Sequence, residues 1–226
     1  MARIFSRISP RYDLMNTVMT AGRHHAWRRM AADVAVGEMA GPALDVAAGT
    51  GDLAIELARR AAVTEVVAPD FSREMMVAAG RKARRKGLGE RIQYALADAH
   101  ALPLPDDHFI CATVGFGIRN FIDVPKALRE MSRVVRPGGR VVVLELVSLD
   151  GLGPFNRLFT FYFRHVTPWI GAILAGDREA YTYLPESVEG FMSAGELASL
   201  MEQASLHNVT VRKLALGSVA IIRGEK

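Results

Sequence analysis

The chain has 226 residues, half of them hydrophobic, and a formal net charge of +4. Its calculated pI is near 9.5; this length and composition describe one globular α/β-sized domain and exclude a disordered chain. The single cysteine, Cys111, excludes an internal disulfide and a cysteine-rich metal site and fits a reducing cytoplasm. No apolar segment follows the first basic residues and no run of about 18 apolar residues occurs, so neither a secretory signal nor a transmembrane helix is expected.

Residues 5–16 mix apolar and polar side chains without a clean period. They run through Gly22-Arg23-His24-His25-Ala26-Trp27 into a helical stretch that ends near Met39. Placed ahead of a complete nucleotide-binding corner, residues 1–40 are expected to form a helical lid over the site. An ordinary packing helix is the alternative, and Trp27 and Met30 fit that alternative better.

The corner itself is Leu44-Asp45-Val46-Ala47-Ala48-Gly49-Thr50-Gly51-Asp52. Residues 43–47 read as the end of a buried parallel strand. Gly49 and Gly51 permit a tight turn against a ligand, and Leu53, Ala54, Leu57, Ala58 and Ala61 recur at helical spacing after it. Gly49-x-Gly51-x-x-Ala54 also fits a dinucleotide fingerprint, with Asp70 at a suitable distance to hold a ribose. Asp45, four residues before the first glycine, argues for a ligand with positive charge. S-adenosylmethionine carries an ammonium and a sulfonium, whereas a pyrophosphate would be repelled. Structural capping is the remaining reading for Asp45 and Asp52.

Residues 65–70 read as a second strand ending in Asp70, whose oxygens can accept both ribose hydroxyls. Ser72 caps a helix that runs to Lys86 and stops at Gly87. The basic run at 81–86 complements the helix macrodipole; an anionic surface is the alternative. No nucleic-acid motif or aromatic interleaving accompanies it, so no nucleic-acid partner is expected. Residues 91–97 form a third strand, followed by Asp98-Ala99, an acid and a backbone N–H suited to an adenine edge.

Residues 109–114 form a fourth strand that opens into Gly115-Phe116-Gly117-Ile118-Arg119-Asn120. Asp123 caps a helix with Val124, Ala127, Leu128, Met131 and Val135 on one face; Pro137-Gly138-Gly139 ends it and residues 140–146 make a fifth strand. Such alternation predicts a parallel sheet covered on both faces. Aromatic residues then crowd 152–174, within a helical insertion expected over 150–192, either as added core or as a wall for a large apolar substrate. Ser193 and Glu196 form a capping box for a helix with Leu197, Leu200, Met201 and Ala204. Residues 209–216 and 219–223 follow as an antiparallel pair.

Several strings occur together in order. They are Tyr12-Asp13-x-Met15-Asn16, Gly22-x-His24-x-x-Trp27, Gly49-Thr50-Gly51-Asp52, Phe116-Gly117-Ile118-Arg119-Asn120, Ala127-Leu128-Arg129-Glu130-Met131 and Tyr181-x-Tyr183-Leu184-x-Glu186-Ser187. Over nearly the whole chain they closely resemble the ubiquinone/menaquinone-biosynthesis C-methyltransferases. The resemblance implies a single class I methyltransferase domain over 1–226, with a Rossmann-like, seven-stranded, mostly parallel sheet and helices on both faces. It implies S-adenosyl-L-methionine as donor, and a prenylated hydroquinone, naphthoquinol or benzoquinol, methylated on a ring carbon. A class I enzyme for another apolar molecule and a non-catalytic donor-binding protein are the alternatives.

Carried over by position, Thr50, Asp70, Asp98, Ala99 and Gly115 contact the donor, with Asp45, Gly49 and Gly51 completing its corner. This chain departs from the family at Ala48, where a glycine is common, at Gly115, where serine is common, and at Leu146-Val147-Ser148, where the family shows Phe-Ser. Arg119 and Asn120 are the candidates for stabilising a phenolate or removing its proton. Tyr12 is placed with them, and His24 is a candidate to close the site. A salt bridge from Arg119 to Glu130 or Asp123 is the alternative for that arginine. No metal is expected. A cytoplasmic enzyme touching the membrane peripherally, with a homodimer allowed, completes the expectations.

Overall fold

The computed structural model describes residues 12–148 and 190–226, with the side chains of Tyr12 and Met15 outside the description. Most of the expected insertion at 150–192 and the first eleven residues of the expected lid therefore lie outside the described residues.

The chain opens with α1 (Tyr12–Met19) and α2 (Arg23–Val36), then runs β1 (Gly41–Val46), α3 (Asp52–Ala58), β2 (Val63–Asp70), α4 (Arg73–Arg85) and β3 (Ile92–Leu96). It continues through β4 (Phe109–Gly115), α5 (Val124–Val134), β5 (Val135–Leu146), α6 (Ala194–Gln203), β6 (His207–Leu214) and β7 (Val219–Glu225). The seven strands lie in one sheet in the order β3-β2-β1-β4-β5-β7-β6. All pairs among β1 to β5 are parallel. β7 is antiparallel to both β5 and β6.

Each sheet face is closed by its own helices. On one side α2 and α3 pack through Ala31, Ala32, Ala35, Leu53 and Leu57 against Ala43, Ile110, Val142 and Leu144. On the other, Leu128, Met131, Leu197 and Met201 of α5 and α6 meet Leu44, Ala112, Val141 and Val143. The two-residue alternation along β5 thus feeds both cores, as a doubly covered strand must.

Several boundaries differ from expectation, among them these. α2 ends at Val36 because Gly37 takes φ +53° with ψ −126°, a backbone conformation open to glycine, and donates its N–H to the Asp33 carbonyl. Pro137-Gly138-Gly139 does not end α5: the helix stops at Val134, and Val135 is already paired with Phe109 in β5. The next pair is Cys111 with Arg140, so residues 136–139 bulge out of the ladder. Gly139 is required there, since a Cβ would sit 2.7 Å from the Ile110 carbonyl oxygen. β6 also begins two residues earlier than expected, at His207.

The expected caps form. Ser72 accepts from Met75 N, Asp123 accepts from Lys126 N, and Ser193 and Glu196 make both bonds of the capping box. α2 is a layer of the core, with Trp27 buried, so over Arg23–Val36 the packing alternative describes the chain and the lid does not.

Candidate active site

A cavity of about 650 Å³ opens at the carboxyl edge of the sheet, where the order reverses between β1 and β4. Open α/β sheets bind ligands at this position because the loops after the two strands turn to opposite sides.

Asp45 stands at its base, 1 % exposed. Oδ1 accepts from the Thr113 hydroxyl of the neighbouring β4 at 2.8 Å, while Oδ2 is buried with no hydrogen-bond partner among the described residues. Burial pushes its carboxyl up to about 7, against the pull of the Thr113 hydroxyl, the Ala54 N–H and the Arg28 charge. Asp70, at the end of β2, is held from both sides. Its Oδ2 accepts from Gly49 N at 2.7 Å and its Oδ1 from Ser72 N at 2.8 Å. Burial still raises its pKa, against those backbone bonds. The Phe71 N–H also donates to this carboxylate; with about four acceptor sites on a carboxylate, about one remains for a ligand.

Gly49 lines the cavity with φ +56°, and a Cβ there would meet nothing within 4 Å. Gly51 has a different role. It does not line the cavity; with φ +80°, a Cβ would lie 2.8 Å from Tyr94 Oη and 3.0 Å from Ala79. It is therefore a packing glycine between α3, α4 and β3. The Thr50 hydroxyl faces the cavity but donates to Asp13 Oδ1 at 2.7 Å. Asp98 and Ala99 line the far end. The His100 backbone and ring, which donate to Asp98 Oδ1, hold the Asp98 carboxyl below its usual value. Gly115 lines the cavity too, and a Cβ there would meet Leu53 Cδ2 at 3.0 Å, a flexible side-chain end that must shift slightly.

Arg119 is not among the cavity-lining residues, whereas Asn120 is. The Arg119 guanidinium is 6 % exposed and pairs at 2.6 Å with Glu145, itself fully buried in β5. It also donates to the Phe116 carbonyl at 2.6 Å, while its own backbone N–H reaches Glu145 Oε2 at 3.3 Å. The expected partners are engaged elsewhere: Glu130 binds Arg133 and the Leu102 N–H, and Asp123 caps α5. Arg119 thus braces the turn after β4 through Glu145.

His24 does not face the site. It is 1 % exposed, and burial followed by the nearby Arg28 charge pushes it down to about 4. Its neutral ring accepts from Arg28 through Nδ1 and lies 3.1 Å from the Thr17 hydroxyl through Nε2. It ties α1 to α2. The Tyr12 side chain falls outside the described residues.

Four partners escaped the sequence reading. Asp13 joins α1 to the glycine turn by accepting from Thr50 and pairing with Lys82. Lys82 also reaches Asp52 at 2.8 Å, so one cation of the basic run is spent at the site. Arg28 and His100 line the cavity. Nothing local announces these contacts, apart from Asp13 standing in the same string as Tyr12 and Asn16.

The donor set fits S-adenosylmethionine on three observations. Asp45 holds an orphaned acceptor where a cation is wanted, Asp70 keeps an acceptor site beside a glycine turn, and Gly49 leaves room for a close backbone approach. Four carboxylates line the cavity against one guanidinium, that of Arg28, a balance that disfavours the pyrophosphate of a dinucleotide. Fold and site together define a class I S-adenosylmethionine-dependent methyltransferase. The chain belongs to the ubiE/COQ5 methyltransferase family, whose model matches residues 1–226. It is 44 % identical to a demethylmenaquinone methyltransferase of Thermus thermophilus, over 99 % of this chain and all of that one. It is 40 % identical to a ubiquinone/menaquinone biosynthesis C-methyltransferase of Yersinia enterocolitica, over all of this chain and 90 % of that one. Among solved structures, a SAM-dependent methyltransferase from Aquifex aeolicus superposes with a TM-score of 0.62 at 19 % identity, covering 94 % of this chain and 96 % of that one. The last likeness concerns the fold alone.

Proposed function

We propose that this enzyme transfers a methyl group from S-adenosylmethionine to a ring carbon of a prenylated hydroquinone in quinone biosynthesis. Family membership over the whole chain is the observation that carries this reading. The cavity supports it: beyond the carboxylates its mouth carries Phe71, Leu96 and Ile122, the last 98 % exposed. An apolar rim of this kind suits a ring with a hydrocarbon tail.

When bound, S-adenosylmethionine supplies an electrophilic methyl on a sulfonium. The chain's contribution is placement. Asp70 receives the ribose, Asp98 with the Ala99 N–H receives the adenine edge, and Asp45 receives the ammonium. All three acids are directed to binding rather than to the sulfonium, where a carboxylate would hold back the ground state. Alignment of ring carbon and methyl then provides most of the rate. Asn120, at the cavity wall, orients the phenol, and Arg119 with Glu145 holds the turn that presents Asn120. α1 is tied to the donor corner through the Asp13–Thr50 bond, and opening of that bond would accompany donor exchange.

No helix among the described residues is long and apolar enough to cross a membrane. A prenyl tail stays largely in lipid, so this reading places the enzyme peripherally at a membrane surface. Co-flotation with quinone-loaded anionic vesicles at low salt is expected.

Transfer of a tritiated methyl group into reduced demethylmenaquinone, and separately into the benzoquinol counterpart, tests the activity. Incorporation into one or both supports the proposal and identifies the ring. Tight binding of S-adenosylhomocysteine with no incorporation into either would overturn it.

A further inference from the structure

Four carboxylates line the cavity, Asp45, Asp52, Asp70 and Asp98, against a single guanidinium, that of Arg28. The donor brings two positive groups, an ammonium and a sulfonium, and one negative group, the α-carboxylate. The acids account for the positive end and the hydroxyls, and leave the carboxylate facing a mostly acidic wall. A permanent cation offsets that repulsion most directly. Among the described lining residues Arg28 is the one permanently charged cation.

Arg28 is a buried charge with Asp52 beside it as counter-charge, and part of its hydrogen-bonding edge is open. It is 5 % exposed. Nη1 meets His24 Nδ1 and stands 3.9 Å from Asp52 Oδ2, beyond hydrogen-bond distance. Asp52 is already bound to Lys82 at 2.8 Å. The guanidinium carbon lies 5.1 Å above the centre of the Phe116 ring, another cavity-lining residue. Nε and Nη2 make no hydrogen bond among the described residues. A buried guanidinium with an open edge is costly unless an anion completes it, and the fork geometry matches a carboxylate bidentately. His24, neutral through burial, accepts at Nη1 and fixes the orientation without competing for the charge.

We propose that Arg28 is the receptor for the donor's α-carboxylate, held in register by His24 and backed by Phe116. The proposal rests on S-adenosylmethionine being the donor.

Two ligands separate the contributions. S-adenosylhomocysteine carries the amino acid end; 5′-methylthioadenosine has the adenine and ribose but neither ammonium nor carboxylate. By calorimetry, Arg28→Gln should weaken S-adenosylhomocysteine about 10- to 100-fold, the range of a charge-assisted contact. Its affinity for 5′-methylthioadenosine should stay within about twofold, since that ligand ends before Arg28. Unchanged S-adenosylhomocysteine affinity, or an equal loss for both ligands, overturns the proposal. If the Gln variant binds neither because it fails to fold, Arg28→Lys decides the matter. A point charge without the fork should show a smaller loss confined to S-adenosylhomocysteine, and an unchanged ratio of the two affinities overturns the proposal. Failure of the parent protein to bind S-adenosylhomocysteine would remove the donor reading itself, a result distinct from either variant outcome.

Discussion

Replacing Asp45 by Asn separates what this carboxylate does to stability from what it does for the donor. Burial raises its pKa in the folded protein from 3.8 to about 7, and the unfolded chain returns it to the ordinary value. Below about pH 4 both states hold the proton and the group is neutral to stability. Between the two values the folded protein keeps a proton that the unfolded chain has released, so stability falls as pH rises. Above the folded value the loss is complete. About three units at 1.36 kcal/mol each amount to roughly 4 kcal/mol, of which roughly 3 kcal/mol is lost between pH 5 and pH 8. Asn keeps an oxygen for Thr113, now 2.8 Å away, and carries no charge. Asp70 is shifted in the same direction, but it is present in both proteins and cancels in the difference.

The assay is urea unfolding without ligand at pH 5 and pH 8, parent and variant side by side. The variant's advantage should grow by about 3 kcal/mol across that window. Parallel pH slopes in the two proteins would refute the buried-carboxylate account. If Asp45 receives the donor's ammonium as proposed, S-adenosylhomocysteine should bind the same variant about tenfold or more weakly. Higher stability with lower affinity is the combined signature.

Arg119→Ala leaves Glu145 buried without its guanidinium, and urea unfolding should register a loss of about 3–5 kcal/mol; a variant as stable as the parent but slow in turnover would instead place Arg119 on the substrate. Gly51→Ala and Gly49→Ala should diverge. The first brings a Cβ 2.8 Å from Tyr94 Oη and should lower the melting temperature. The second points into open space and should chiefly weaken donor binding in calorimetry. Asp13→Ala removes the partner of Thr50 and Lys82, and limited proteolysis should then cut α1 faster in the free enzyme, with α2 still protected. Equal cleavage rates in parent and variant would show that the Asp13 contacts do not hold α1.

The strand–glycine turn–helix corner, the alternating α/β units and the caps at Ser72, Asp123 and Ser193 were legible in the sequence because they are local. Period, cap chemistry and φ preference act within a few residues. Asp45, Asp70 and Asp98 were legible too, since each ends or nearly ends a strand and the parallel sheet brings those ends to one edge. Tertiary structure alone decided which neighbours those residues meet. Arg119 finds Glu145, 26 residues away on the adjacent β5, rather than the nearer Glu130, whose oxygens Arg133 and Leu102 occupy. Thr50 meets Asp13 across 37 residues, and Gly51 is needed for close packing against Tyr94. β7 enters between β5 and β6, an order no periodicity encodes. His24 looked like a site residue by its motif, yet burial makes it a neutral tie between two helices. Sequence pattern determines which element a residue joins, because that choice is made by short-range sterics and burial. Ion pairs, packing glycines and orphaned acceptors depend on which elements become neighbours, and that is settled only when the two cores close on the sheet.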